Sequence, residues 1–258
     1  MSGIRVTYSG LISFVFGISS VITGLIFTLI VTRNLTQTEF GTWSLIGGLT
    51  SYVLIINPII AYWTTREIAR DVNSGKTAVV SSGFFSVIGF VAFLIIAFFV
   101  STPTGANVDI LFFAGLMIPF TFLNRTLSAI AIGWKPQLNS YGILSLDIAK
   151  LPAALIFVYY MDMGLIGAIL SMIIATSVSI LVLAITSRTK IKQSFKKDYL
   201  KNWLKHAWIP SYMKSAQFMI FDVLIFSLLT GSVIGLAYWV AATTIGTLVR
   251  HSNQITKG

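Results

Sequence analysis

Long apolar stretches separated by short polar breaks set the pattern of this chain. Gly10–Val31, Thr42–Trp63 and Val79–Ser101 contain no charged residue, and Ile110–Gly133, Leu138–Met161, Gly164–Thr186, Ile209–Thr230 and the shorter Ile234–Val249 follow them. Crossing about 30 Å of hydrocarbon takes roughly 20 helical residues, and none of these runs shows the two-residue alternation of an outer-membrane barrel strand. The pattern therefore predicts an all-α integral membrane protein with about eight transmembrane helices. Composition agrees: 55% of the residues are hydrophobic and 10% charged, more apolar surface than a soluble domain of this length buries. The first run is longer than a signal-peptide core and lacks a small-residue cleavage site, so it is expected to stay as a helix.

Six runs precede the longest hydrophilic segment, Ser187–Trp208, and two follow it. In that segment Ile191, Phe195, Tyr199, Trp203 and Ala207 recur every four residues with lysines between them, the pattern of a basic amphipathic helix lying on the inner leaflet or of a plain topology-fixing connector. The break LTQTEFG, Leu35–Gly41, is echoed by LTGSVIG, Leu229–Gly235, at an offset of 194. An offset spanning an even number of helices gives both elbows the same orientation, as in parallel repeats related by an axis along the membrane normal. The expected division is a first six-helix unit, 1–203, ending in the basic segment, and the opening two helices of a second unit, 204–258. A full second repeat calls for about 130 further residues, so the chain reads as C-terminally short.

With the N-terminus cytoplasmic, the inner segments carry Arg5, Arg66, Arg70, Lys76, Lys135, Arg188, Lys190, Lys192, Lys196, Lys197, Lys201, Lys205, Arg250 and Lys257, and the outer ones only Arg33. The positive-inside rule then places both termini in the cytoplasm. Contact with the anionic leaflet accounts for the net charge of +10 without nucleic acid. The absence of cysteine excludes disulfides and thiol chemistry. Two histidines, His206 and His251, with no HExxH and no glycine-rich phosphate loop argue against an enzyme and against a metal or other cofactor.

Charges inside a span are costly and mark function. Arg125 falls in the fourth run, Asp147 and Lys150 in the fifth, Lys214 and Asp222 in the seventh. Arg125 and Asp147 each lie nine residues from the inner end of their runs, about 13 Å deep, within reach of each other, and Asp147 and Lys150 share a helical face. Two readings stand: a self-neutralising structural cluster, or a cavity in which Arg125 and Lys150 attract an anionic headgroup, Arg as a bidentate fork and Lys as a point charge. Lys214 is near enough to its span end to snorkel. Asp222, without a charge partner within a turn, is a candidate to load and unload a coupling proton, or else a carboxyl bonded to a neighbouring helix. Pro58, Pro119 and Pro152 predict kinks. Gly167, Ser171, Ala175 and Ser179, and on the first span Ser13 with Gly17 and Ser20 with Gly24, predict close helix contact. Trp43, Trp63, Trp134, Tyr159 and Tyr160 fall at run ends, as interfacial anchors do.

RNLTQTEFGTWSL, Arg33–Leu45, with TTREIAR, Thr64–Arg70, resembles the first hairpin of the polysaccharide-biosynthesis flippases, the O-antigen type of the multidrug/oligosaccharidyl-lipid/polysaccharide superfamily. Asp222 followed by LLTGSVIGLAYW resembles their seventh-to-eighth helix junction. The resemblance implies two helical bundles and the movement of polyprenyl-phosphate-linked oligosaccharide across the cell membrane by alternating access. The expected partners are membrane lipids, an anionic lipid-linked glycan and a second chain supplying the missing bundle. Export of drugs or other small molecules, as elsewhere in that superfamily, and a non-transporting membrane fragment are the alternatives.

Overall fold

The computed structural model describes residues 6–192, 194–215 and 222–243. Of the described residues 89% are helical, and none is in a strand. Six helical segments are long and apolar enough to cross a bilayer, and they match the first six apolar runs to within a few residues at each end. They are α1 (Val6–Asn34), α2 with α3 (Gln37–Val53, Asn57–Ile68), α4 (Gly75–Thr104), α5 with α6 (Val108–Gly115, Met117–Trp134), α7 (Pro136–Ala154) with a π turn at Leu155–Tyr160, and α8 (Gly164–Thr186). Short helices follow: α9 (Arg188–Ile191), α10 (Lys197–Lys205), α11 (Trp208–Ser215), α12 (Asp222–Thr230) and α13 (Val233–Thr243). The seventh and eighth runs lie partly outside the described residues.

Proline explains the three irregular spans, because it offers no N–H to the carbonyl four residues before it and its ring crowds that carbonyl. With Pro58 unable to bond Leu54, the Asn57 N–H closes onto Leu54 O in a tighter 3-10 turn. Pro119 cannot donate to the Gly115 carbonyl, and the break falls at Leu116, whose N–H turns to Phe113 O at 3.1 Å. Beyond Pro152 the chain widens, and the Met161 N–H reaches Ile156 O at 2.9 Å.

Helix α6 is the hub, packing on α3, α4, α7 and α8. Thr126 Oγ1 donates to Ser82 Oγ at 2.9 Å, Asn57 Nδ2 to Phe122 O at 3.4 Å and Thr65 Oγ1 to Ala129 O at 3.1 Å. Ser179 Oγ bridges to Asn124 Oδ1 at 3.0 Å and Gly142 O at 2.9 Å. The ladder Gly167, Ser171, Ala175 and Ser179 is wholly buried. A side chain on Gly142 would place its Cβ 2.8 Å from Leu183 Cγ, and one on Gly167 would lie 2.7 Å from Phe157 O, so small residues are what let α7 and α8 approach.

The corresponding small-residue face of α1 is not used that way. A Cβ at Gly17 or Gly24 would meet nothing within 4 Å, and Phe14, Ile18, Val21, Ile22, Leu25 and Leu29 are exposed. Among the described residues α1 packs chiefly on α7, its π turn and α8. Close contact needs a facing helix, and among the described residues none stands against that glycine face.

The elbow between α1 and α2 is a built joint. Thr36 caps α2, accepting from the Glu39 N–H, while Glu39 Oε2 accepts from the Thr36 N–H at 2.9 Å, the reciprocal capping box. The other Glu39 oxygen accepts the Leu165 N–H at 3.1 Å, tying the elbow to the first turn of α8. The second elbow uses different chemistry: Gly231 turns the chain at φ +57, and Ser232 Oγ accepts from the Gly235 N–H at 3.3 Å. The two elbows touch. The Val233 carbonyl fills the place where a Gly41 side chain would stand, a Cβ on Gly48 would lie 2.7 Å from Val223 Cγ1, and Tyr238 Oη donates to Gln37 Oε1 at 3.2 Å.

The segment after α8 departs from the expected leaflet helix. It breaks into α9, α10 and α11, and Tyr199, Leu200 and Trp203 of α10 pack on the bundle while Leu204 is exposed. Trp203 is fully buried against Ile60 and Ala78, and its indole N–H donates to Glu67 Oε1 at 2.8 Å. The Lys196 N–H bonds Thr77 Oγ1 at 3.0 Å. A carboxylate waiting at the end of α3 makes the protein a better partner for this tryptophan than the headgroup region. Trp43, expected as an interfacial anchor, instead packs inward on Phe27 with ring centroids 6.4 Å apart.

Candidate functional site

The outer surface of α4 shows what a lipid-facing helix looks like in this protein. Phe84, Val87, Ile88, Val91, Ile95, Phe98 and Phe99 are all exposed, an apolar face that needs no water. Helix α6 differs. Phe122 and Ala129 meet α3, Thr126 meets α4, and Asn124 meets α8. Helical spacing leaves one open face, between the α3 and α7–α8 contacts, that carries Thr121, Arg125, Ser128 and Ile132. Thr121 satisfies itself on Met117 O at 2.7 Å. Arg125 is exposed, and among the described residues its guanidinium makes neither an ion pair nor a hydrogen bond. Five N–H donors at mid-span with no protein acceptor require water or a polar ligand in front of them.

Arg125 and Asp147 do not pair. The Asp147 carboxylate is taken by its neighbour on α7, Lys150 Nζ to Oδ1 at 2.7 Å, and both residues are buried, 2% and 8% exposed. The spacing of three that puts them on one face brings them into bonding distance. Lys150 Nζ also lies 5.7 Å from the centre of the Phe27 ring on α1. In this conformation Lys150 is thus a paired interior cation, and Arg125 alone of the pair's neighbours in the fourth and fifth spans presents positive charge to an open face.

Pro58, Pro119 and Pro152 sit beside the span interruptions already described. Asp222 opens α12, but its side chain and that of Lys214 lie outside the described residues, as do Arg5, Arg250, His251 and Lys257. No group of three or more His, Cys, Asp or Glu side chains suited to a metal occurs among the described residues.

Three functional contacts were not singled out from sequence. Glu39 was quoted within the elbow, and its place three residues after Thr36 is the capping-box spacing that would have marked it. The Glu67–Trp203 bond joins residues 136 apart, and no local pattern signals it. Phe27 over Lys150 depends on the α1–α7 packing angle, equally invisible in one dimension. No family model, curated protein or solved structure matches the chain.

Proposed function

We propose that this multi-pass membrane protein moves polyprenyl-phosphate-linked oligosaccharide across the cell membrane by alternating access. The observation that carries the reading is the exposed, unpaired Arg125 in the middle of a span, on a polar face where α4 shows only hydrocarbon. A guanidinium offers a phosphate two parallel N–H bonds, while the polyprenyl tail of such a substrate stays among the exposed apolar side chains. The proline-broken spans supply helices able to bend at fixed points. On this reading Asp222 is the carboxylate that exchanges a coupling proton, and the six-helix unit works together with a second bundle.

The test is reconstitution of the purified chain in vesicles with a fluorescent lipid-linked oligosaccharide, scoring transfer between leaflets. Wild type is expected to exceed protein-free vesicles, Arg125→Ala to fall at least about tenfold, the loss of one charge-assisted contact, and Arg125→Lys to fall in between. Equal transfer by wild type and Arg125→Ala would remove Arg125 from the path. Transfer no faster than in protein-free vesicles would remove the function.

A further inference from the structure

The interior ion pair is incompletely bonded. Asp147 Oδ1 accepts from Lys150, but Asp147 Oδ2 is buried and accepts from nothing among the described residues. An ammonium carries three donors, and Lys150 uses one of them in a hydrogen bond, resting its charge over the Phe27 ring. A purely structural buried pair offsets its desolvation only when the remaining lone pairs and protons are also satisfied. This one leaves a strong acceptor, spare donors and an aromatic face side by side, contributed by α7 and α1, with Trp43 of α2 behind the ring.

Those three features are what a sugar ring engages. Adjacent ring hydroxyls both donate and accept, and the C–H face of a pyranose is apolar. A phosphate fits poorly, because Asp147 repels it. Resting on the reading above, we propose that Asp147, Lys150 and Phe27 form a subsite for one sugar ring of the lipid-linked glycan, while Arg125 takes the phosphate. One hydroxyl donates to Asp147 Oδ2, its neighbour accepts from a spare Lys150 N–H, and the C–H face lies on Phe27. Phe27 is buried over the pair in this conformation. Its helix is held chiefly by α7, so displacement of α1 is the motion that uncovers the subsite. The arrangement divides recognition by charge: the neutral pair reads the glycan and the free guanidinium reads the anion.

Two probes separate this inference from its premise: a polyprenyl-diphosphate-linked disaccharide and sugar-free polyprenyl diphosphate. Equilibrium binding to the detergent-solubilised chain is followed by tryptophan fluorescence, with Trp43→Phe identifying the signal from the subsite. Wild type should bind the glycosylated probe more tightly than the bare one. Asp147→Asn should weaken the glycosylated probe about tenfold, the value of one charge-assisted hydrogen bond, and leave the bare probe unchanged, whereas Arg125→Ala should weaken both. Should Asp147→Asn fail to fold, the neutral double variant Asp147→Asn/Lys150→Met decides: loss of the sugar-dependent increment supports the subsite, and its retention overturns it. If wild type binds neither probe, the transport reading itself fails. If it binds both and the increment survives in the Asp147 variants, only the subsite does.

Discussion

Replacing Trp203 tests whether the basic segment belongs to the bundle or to the leaflet. The side chain is fully buried and its N–H is bonded to Glu67 at 2.8 Å. Trp203→Phe retains most of the apolar contact and loses the bond to a carboxylate, which costs about 1.5–3 kcal/mol. Trp203→Ala also loses the buried ring, a total of about 3–5 kcal/mol. Both variants leave Glu67 without a donor at either oxygen, since Oε2 already has none. Helix α10 packs on α3 and α4, so the loss falls on local detachment of this helix and not on the six spans. At about 1.4 kcal/mol per factor of ten, the detached population rises about tenfold or more for Phe and at least about a hundredfold for Ala. Limited trypsin digestion at Lys197, Lys201 and Lys205, exposed lysines held in a helix, reads that population when opening is fast relative to cleavage. Thermal stability of the spans should scarcely move. Digestion of Trp203→Ala at the wild-type rate would show that the indole does not hold α10, and the leaflet reading of this segment would return.

Other outcomes follow from named contacts. Lys150→Met leaves Asp147 as an unpaired interior charge and should cost about 3–5 kcal/mol in thermal unfolding, whereas Asp147→Asn/Lys150→Met should recover most of that loss; equal destabilisation of the two would show that the pair's charges are not coupled. Gly41→Val places a side chain where the Val233 backbone stands and should separate the elbows. Because the chain has no cysteine, cross-linking Gln37→Cys to Tyr238→Cys with a short bismaleimide, whose spacer replaces the reach of the two long side chains that meet there, reports this directly, and efficient cross-linking in the Gly41→Val background would refute the contact. Glu39→Ala removes the capping box and the acceptor of the Leu165 N–H, a loss of about 1–3 kcal/mol to be read as a lowered melting temperature, with Glu39→Gln losing less.

How far the fold was legible follows from the range of each signal. The first six spans are visible because hydropathy is local and hydrocarbon admits almost no alternative to a helix, and the three prolines marked their own interruptions for the same reason. The seating of the basic segment against the bundle was not legible because four-residue periodicity reveals an apolar face but not what covers it. Trp203 finds Glu67 only after the first bundle exists. The Asp147–Lys150 pair was legible from a spacing of three, while the freedom of Arg125 depended on knowing that Asp147 is already engaged. Glycine spacing was ambiguous in the same way: the ladder on α8 has α7 against it, and the matching stripe on α1 stands open.

The carboxylate of Glu39 grips a backbone N–H that emerges from the ribosome 126 residues later. Five spans therefore precede the closing of that clasp, and until the sixth is made α2 has α4 and α5 to rest on but no tie to α8.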